Sequence, residues 1–364
     1  MRAALLESVG SPLVIVDDVD IDRPGDGQVL VAVHSCGLCH SDVSQLDGVH
    51  PPPLPVILGH EASGIVEAVG PGVTTVAPGD HVVMSPVSSC GHCYYCLRNE
   101  FSICVNSAAI ASGTHPDGST GLSRRGEVVY RGVGLAALAE LVLVAETGLA
   151  KVPVDVPLDV ACVVGCAVQT GVGAVVNSAR VQPGDTVLVM GAGGIGVSIV
   201  QGARVAGASR IIVSDPVEER RERAMAFGAT DVVDPLTTDV AGATRELTDV
   251  GADFAFDAVG HSALVECGIA STRAGGTTVV VGAAPIDHSA SLNLVGALYN
   301  EKRVIGSLLG GCHAPRDIPR LVDLWQRGLL DLDSMVTSRR PLEEVNEAVD
   351  DLRAGRGIRT VLRV

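Results

Sequence analysis

The sequence predicts an α/β protein in two parts, a β-rich one and a doubly wound parallel sheet. Three observations carry this. Up to about residue 150, short apolar runs are separated by Pro/Gly turns such as Pro24-Gly25 and Pro78-Gly79-Asp80, the punctuation of many short strands. From about residue 180, apolar strands alternate with helical patterns, and that spacing builds a parallel sheet with helices on both faces. A length of 364 residues accommodates about two domains.

The elements follow in order. Strands are expected at 29–33, 64–69 and 81–84. Residues 105–132 are polar and rich in Gly and Ser, and are expected to form a long surface loop. A strand over 186–190 then runs into a glycine-rich turn and a helix through Ala206. A strand at 210–214 and a helix near 218–227 come next. Further strands are expected at 231–233, 253–256, 277–281 and 304–308, and amphipathic helices at 317–328 and 342–353. There is no internal repeat.

Hydrophobic residues make up 47% and charged residues 19%, so the chain can bury large cores. Aromatic content is 2%, so those cores, and any substrate pocket, should be aliphatic. The net charge of -16 repels nucleic acid and anionic membrane surfaces. The acidic clusters at Asp17-Asp18-Val19-Asp20 and Glu343-Glu344 read as solvated faces. Phosphate binding would have to rely on local amides and a few local cations. The N-terminus lacks a basic region followed by an apolar core, so no signal peptide is expected. The uncharged stretches 160–179 and 186–203 approach spanning length, but they are rich in Gly and polar residues and read as buried segments. The expected compartment is the cytoplasm. There, ten cysteines point to metal ligands or core residues rather than disulfides.

Gly191-Ala192-Gly193-Gly194-Ile195-Gly196 directly follows the strand at 186–190. Alone, this G-x-G-x-x-G is no more than a glycine-rich turn. Here Asp215 ends the next strand, where a carboxylate can accept both ribose hydroxyls of a dinucleotide. Gly191 permits the turn, Gly193 lets the backbone approach a pyrophosphate, and Gly196 lets helix and strand pack closely. The helix N-terminus offers free amides to the anion. Asp215 would repel a 2′-phosphate, which favours NAD over NADP. Arg220 and Arg221 nearby read equally as an exposed helix face or as adenosine contacts.

Cys90, Cys93, Cys96 and Cys104 form C-x2-C-x2-C-x7-C. Four thiolates in so short a segment can close a tetrahedron around Zn2+, leaving no position for water, which makes the site structural. Disulfides are the other reading. The spacing matches neither the bacterial nor the plant-type iron–sulfur run. His92 reads as a bystander.

Three further groups are scattered. Cys39 sits in Gly37-Leu38-Cys39-His40-Ser41-Asp42, His60 in Gly59-His60-Glu61, and Cys166 in Gly165-Cys166-Ala167-Val168-Gln169-Thr170-Gly171. Singly each is weak, since a lone Cys is more often core than ligand. Together with the cysteine lobe and the glycine-rich turn, their order resembles the zinc-dependent medium-chain alcohol dehydrogenases over essentially the whole chain. Gly357-Ile358-Arg359-Thr360-Val361-Leu362 is similar to that family's C-terminal end. The long loop after Cys104 and the presence of Cys166 look more like its liver-type and glutathione-dependent formaldehyde dehydrogenase branches than its shorter bacterial members.

The resemblance implies a GroES-like catalytic domain at 1–167 and 309–364, and a Rossmann NAD-binding domain at 168–308. It implies a catalytic zinc held by Cys39, His60 and Cys166, with a fourth position open, and so two zinc ions per chain with the lobe. Asp42 would orient His60, Glu61 would lie behind the metal or ligate it occasionally, and Ser41 would relay the alcohol proton. His40 and Arg359 fall where the family contacts the pyrophosphate. Thr170, Val281 and Ala283 would line the nicotinamide pocket. The implied reaction is reversible oxidation of an alcohol to an aldehyde or ketone, with hydride passing to NAD. Partners would be the small-molecule substrate and a second copy of the chain, a homodimer or a tetramer, with no nucleic acid or membrane.

One position departs from the family. The relay histidine of many relatives is Ser44 here, so the proton would leave through the ribose hydroxyl and water, or through His40 or His50. Pro86 and Leu309 stand where liver-type members carry bulky aromatics, implying a roomier aliphatic pocket. Two other functions stay open. A thiol-adduct-dependent formaldehyde dehydrogenase would use Arg124, Arg125 and Arg131. A non-catalytic NAD-binding protein of the same fold would need no zinc chemistry.

Overall fold

A computed structural model describes all residues, Met1–Val364. The chain divides into two compact units. One comprises residues 1–167 and 313–364, the other residues 168–312.

The first unit is built on a seven-stranded sheet whose spine is the strand Gln28–Gly37. One edge of that strand pairs antiparallel with Glu61–Val69. Its other edge pairs with Leu141–Ala145 along its first half and with Arg359–Arg363 along its second. Val336–Pro341 lies beyond Arg359–Arg363, in parallel. His81–Met84 and Leu149–Lys151 extend the opposite side. Alternating positions of the spine face inward, and the core they join is aliphatic, with Val29, Val31, Leu5, Leu6, Leu138 and Leu362. That matches the low aromatic content.

The second unit is a six-stranded, all-parallel sheet in the order Asp231–Val233, Arg210–Ser214, Thr186–Met190, Ala252–Asp257, Thr272–Val280, Arg303–Gly306. Successive strands move outward to one side of Thr186–Met190, then to the other. The crevice at its carboxyl end is therefore the switch point, where doubly wound sheets bind ligands. Gly191 takes φ +94° to turn the chain there. A Cβ on Gly196 would lie 1.8 Å from the Gly191 carbonyl oxygen, so the helix Gly194–Ala206 can start this close only with glycine at that position.

Two expectations need correction. Residues 105–132 are not one surface loop. They contain the helix Ala109–Ser112 and the short strands Leu122–Arg124, Glu127–Val128 and Tyr130–Arg131, and they bury His115, Leu122, Val129 and Arg131. Their Gly and Ser residues mark turns between very short elements. The helix expected at 342–353 begins as a 3-10 turn, Leu342–Glu344, before Val345–Arg353. The uncharged stretch at 160–179 breaks at Cys166, and no single helix in the chain is long and apolar enough to cross a membrane.

Candidate active site

The spine strand Gln28–Gly37 ends two residues before Cys39, which caps the helix His40–Leu46 in extended conformation. Asp42 lies in the first turn of that helix, 1% exposed. Its Oδ2 accepts from the Cys39 backbone N–H at 3.1 Å, and its Oδ1 from Gly59 N–H at 2.9 Å. The same Oδ1 is 3.0 Å from His60 Nδ1. That contact assigns the proton to Nδ1 and turns the Nε2 lone pair the other way. Nε2 is buried with no hydrogen-bond partner in the protein. The Cys39 and Cys166 sulfurs and a ring nitrogen of His60 all lie within 4.8 Å of one another.

An orphaned imidazole nitrogen facing two buried sulfurs is a donor set that needs a cation. Two thiolates and one imidazole suit Zn2+ and leave a fourth position to an outside ligand. The three groups shift one another's proton affinities. A hydrogen bond from the Cys166 thiol holds the Cys39 thiol well below its usual range; burial opposes this and His60 assists it. That bond and burial push Cys166 up in turn. Burial alone would pull His60 down, but Asp42 and Cys39 outweigh it and raise it.

Cys166 reaches this cluster at a helix break, with φ −138° and ψ −72°. Its neighbour Gly165 must be glycine, because a Cβ there would sit 2.3 Å from the Met84 carbonyl oxygen. Ser41 Oγ is 3.9 Å from Cys39 Sγ. Glu61 is fully buried, and burial raises its carboxyl to about 7 against the opposing charge of Arg359. Arg359 Nε donates to Glu61 Oε1 at 3.3 Å and lies equally far from Oε2, without hydrogen-bond geometry there. Burial disfavours the Arg359 charge, but Glu61 and the two cysteines hold it protonated. His40 is exposed.

The lobe brings Cys90, Cys93, Cys96 and Cys104 within the same 4.8 Å limit. Backbone amides aim at the sulfurs. Cys93 N–H donates to Cys90 Sγ at 3.3 Å, and Cys90 N–H to Cys104 Sγ at 3.2 Å. Amides of Cys96 and Val105 bring Cys93 down to about 6, whereas burial pushes Cys96 up to about 12. All four are free thiols, and His92 turns away to the Cys90 carbonyl. Four sulfurs gathered in one place, with backbone amides donating to them, fit one Zn2+.

In the second unit, Asp215 is 2% exposed at the end of Arg210–Ser214. Its Oδ2 accepts from Ala192 N–H and its Oδ1 from Val217 N–H, each at 2.8 Å. It braces the glycine-rich turn, and each oxygen keeps a second lone pair for a ligand hydroxyl. Arg220 Nη1 is 3.9 Å from Asp215 Oδ2. A Cβ on Gly193 would meet nothing within 4 Å, so the approach to the helix N-terminus of Gly194, Ile195 and Gly196 is open. Thr170 is buried with its Oγ1 unpaired, Val281 is half-buried and Ala283 is exposed.

Sequence reasoning missed the brace behind His60. Gly59 takes φ +93°, and a Cβ there would be 2.6 Å from Leu138 N. Its carbonyl accepts from Ala137 N–H at 2.8 Å, in a loop where Val133 and Ala136 hold positive φ. Gln45 Oε1 accepts from Val133 N–H at 3.2 Å. No local pattern relates residue 59 to residues 133–138.

Asp42→Asn keeps the shape of the side chain but loses the charge that orients His60. Zinc affinity or turnover should fall about 10–100-fold. Zinc titration of the apoprotein with a competing chelator measures this, and unchanged affinity together with unchanged turnover would remove Asp42 from the site.

Comparison with known proteins agrees with this geometry. Residues 25–154 match the alcohol dehydrogenase GroES-like domain, and residues 194–327 match the zinc-binding dehydrogenase domain. The chain is 40% identical to a putative alcohol dehydrogenase D of Mycobacterium tuberculosis, over 99% of this chain and 98% of that one. It is 37% identical to an S-(hydroxymethyl)glutathione dehydrogenase of Escherichia coli, over 100% and 99%. The structure is similar to benzyl alcohol dehydrogenase from Acinetobacter calcoaceticus, with TM-score 0.94, 34% identity and coverage of 100% and 99%. Full-length likeness at this level, together with two cysteine-rich donor sets, places the chain in the zinc-dependent medium-chain alcohol dehydrogenase family.

Proposed function

We propose that this chain oxidises small alcohols to aldehydes or ketones, reversibly, with NAD as hydride acceptor. The observation that carries the reading is the buried, unpartnered His60 Nε2 beside two sulfurs. Cys39, His60 and Cys166 would hold the catalytic zinc, and Cys90, Cys93, Cys96 and Cys104 the structural one. Zinc at the first set supplies Lewis-acid polarisation of an alcohol hydroxyl. NAD supplies the hydride acceptor, with the transfer geometry set by the protein.

The chain's own groups do the rest. Asp42 holds His60 in the tautomer that offers Nε2. Ser41 takes up the hydroxyl proton, and with Ser44 in place of a relay histidine it passes it on by ribose hydroxyl and water, or by His40 or His50. Glu61 and Arg359 place a compensated pair beside the thiolates, and Arg359 with His40 serves the pyrophosphate. Gly191, Gly193, Gly194, Ile195 and Gly196 cradle the phosphates, and Asp215 and Arg220 hold the adenosine side. Thr170, Val281 and Ala283 serve the nicotinamide. Residues 168–308 act as the NAD-binding domain, and the remainder as the catalytic one.

Aryl and medium-chain alcohols are the proposed substrates. Pro86 and Leu309 in place of aromatics support this, as does similarity to a benzyl alcohol dehydrogenase. A cytoplasmic homodimer is proposed as the working form. The edge strand Arg303–Gly306 has one neighbour, and the preceding helix exposes Leu294, Val295, Leu298 and Tyr299, an apolar face suited to a second copy. The name of the Escherichia coli relative favours a second reading, oxidation of a hydroxymethyl thiol adduct. Against it, Arg124 is already paired with Asp18 and Glu7, Arg125 with Asp18, and Arg131 is buried.

A steady-state screen of primary, secondary and aryl alcohols and thiol adducts, with NAD and NADP, tests both readings. Asp215→Ala should lower kcat/KM for NAD about 10–100-fold, the worth of one or two hydrogen bonds to a charged group, and narrow the preference over NADP. No turnover of any alcohol by protein that holds one zinc per chain would favour a non-catalytic dinucleotide-binding protein.

A further inference from the structure

A cavity in the first unit is lined by no residue of either cysteine set. It has a volume of about 680 Å3, within the range of small-molecule sites. Four arginines line it, Arg2, Arg339, Arg340 and Arg363, in a chain whose net charge is -16. They come from distant parts of the sequence. Arg2 precedes the first strand, Arg339 and Arg340 lie on Val336–Pro341, and Arg363 lies on Arg359–Arg363.

Three of the four are held by carboxylates that are themselves partly in water. Arg2 pairs with Glu343, Arg339 with Asp159 at 2.6 Å, and Arg340 with Glu344 and Asp351. The side chains of Arg2 and Glu343 are 37% and 51% exposed, and those of Arg339 and Asp159 are 51% and 34% exposed. Such solvated pairs contribute little and open readily. Arg363 makes no ion pair; its strand neighbour is Ser35, and burial and the Arg363 charge lower the proton affinity of the nearby His34. The guanidinium fork matches phosphate and carboxylate oxygens two at a time. A ligand bearing two or more charges could therefore engage Arg363 and displace the exposed carboxylates from its neighbours.

We propose that this cavity is a binding site for a small, multiply charged anion, a phosphorylated or polycarboxylated metabolite, separate from the catalytic and dinucleotide sites. None of the residues lining it belongs to either cysteine set or to the glycine-rich turn.

Calorimetric titration of the full-length, zinc-loaded protein tests this, with saturating NAD so that the dinucleotide site is filled. Inorganic pyrophosphate and citrate are the probes, against chloride at matched ionic strength. Saturable binding of one probe with Kd of about 1 mM or tighter is expected. Pyrophosphate alone would assign the phosphate class, citrate alone the carboxylate class. Arg363→Ala should weaken binding about tenfold or more while alcohol turnover stays unchanged. Arg339→Ala and Arg363→Lys serve as second variants should Arg363→Ala fold poorly. No saturable binding of either probe, or equal affinity in the arginine variants, overturns the proposal.

Discussion

Cys39→Ala is expected to lower alcohol turnover at least about a thousandfold, because losing the polarised hydroxyl removes several kcal/mol of transition-state stabilisation. Zinc content should fall from about two ions per chain to about one. The reason lies in how few groups make the donor set. Cys39, His60 and Cys166 are all buried and gathered within 4.8 Å, and no other side chain belongs to that group. Removing one sulfur leaves two donors and a cavity, too few for a tetrahedral ion to stay. The fold should survive, since the Cys39 backbone N–H still reaches Asp42 and only the sulfur half of the capping box is lost. Activity assays and metal analysis on the same preparation decide the matter. Full turnover in the variant would sink the assignment of this site.

Cys96→Ser should act differently. The lobe carries little core of its own, with Tyr94 68% and Leu97 74% exposed. Its ties to the rest of the unit are few, among them Phe101 stacked on His313 at 4.1 Å with Arg316 over the ring. In comparable small sites, zinc binding supplies about 10–16 kcal/mol of apparent folding free energy. Without it, residues 90–104 should unfold locally, and limited proteolysis should cut there many times faster than in the parent. Chelation should show the order of loss, with activity disappearing before the lobe opens. A serine variant that keeps two zinc ions and resists protease would show that the lobe is held by packing instead.

The legibility of these sites differed for physical reasons. The lobe was readable from spacing because its four ligands are local. The glycine-rich turn was readable because strand, turn and helix are consecutive, and Gly196 is required by a contact with Gly191, five residues away. The catalytic set joins residues 39, 60 and 166, and no local rule relates them; only resemblance to a family did. The brace at Gly59, the buried Arg131 beside His115 and the arginine-lined cavity stayed hidden because each depends on sheet neighbours far apart in sequence. Residues 105–132 misled for the opposite reason, since strands of two or three residues leave no period to read.

The pairing of Gly37 with Val361 has a consequence for synthesis. As the chain leaves the ribosome, the second half of the spine strand waits with an unsatisfied edge until residues 361–363 have been made. The inserted parallel sheet is free to form first, and contacts of such sequence separation close slowly. A nascent chain stopped before residue 359 would keep both cysteine sets yet leave Glu61 without its cation and a bare β edge open to association.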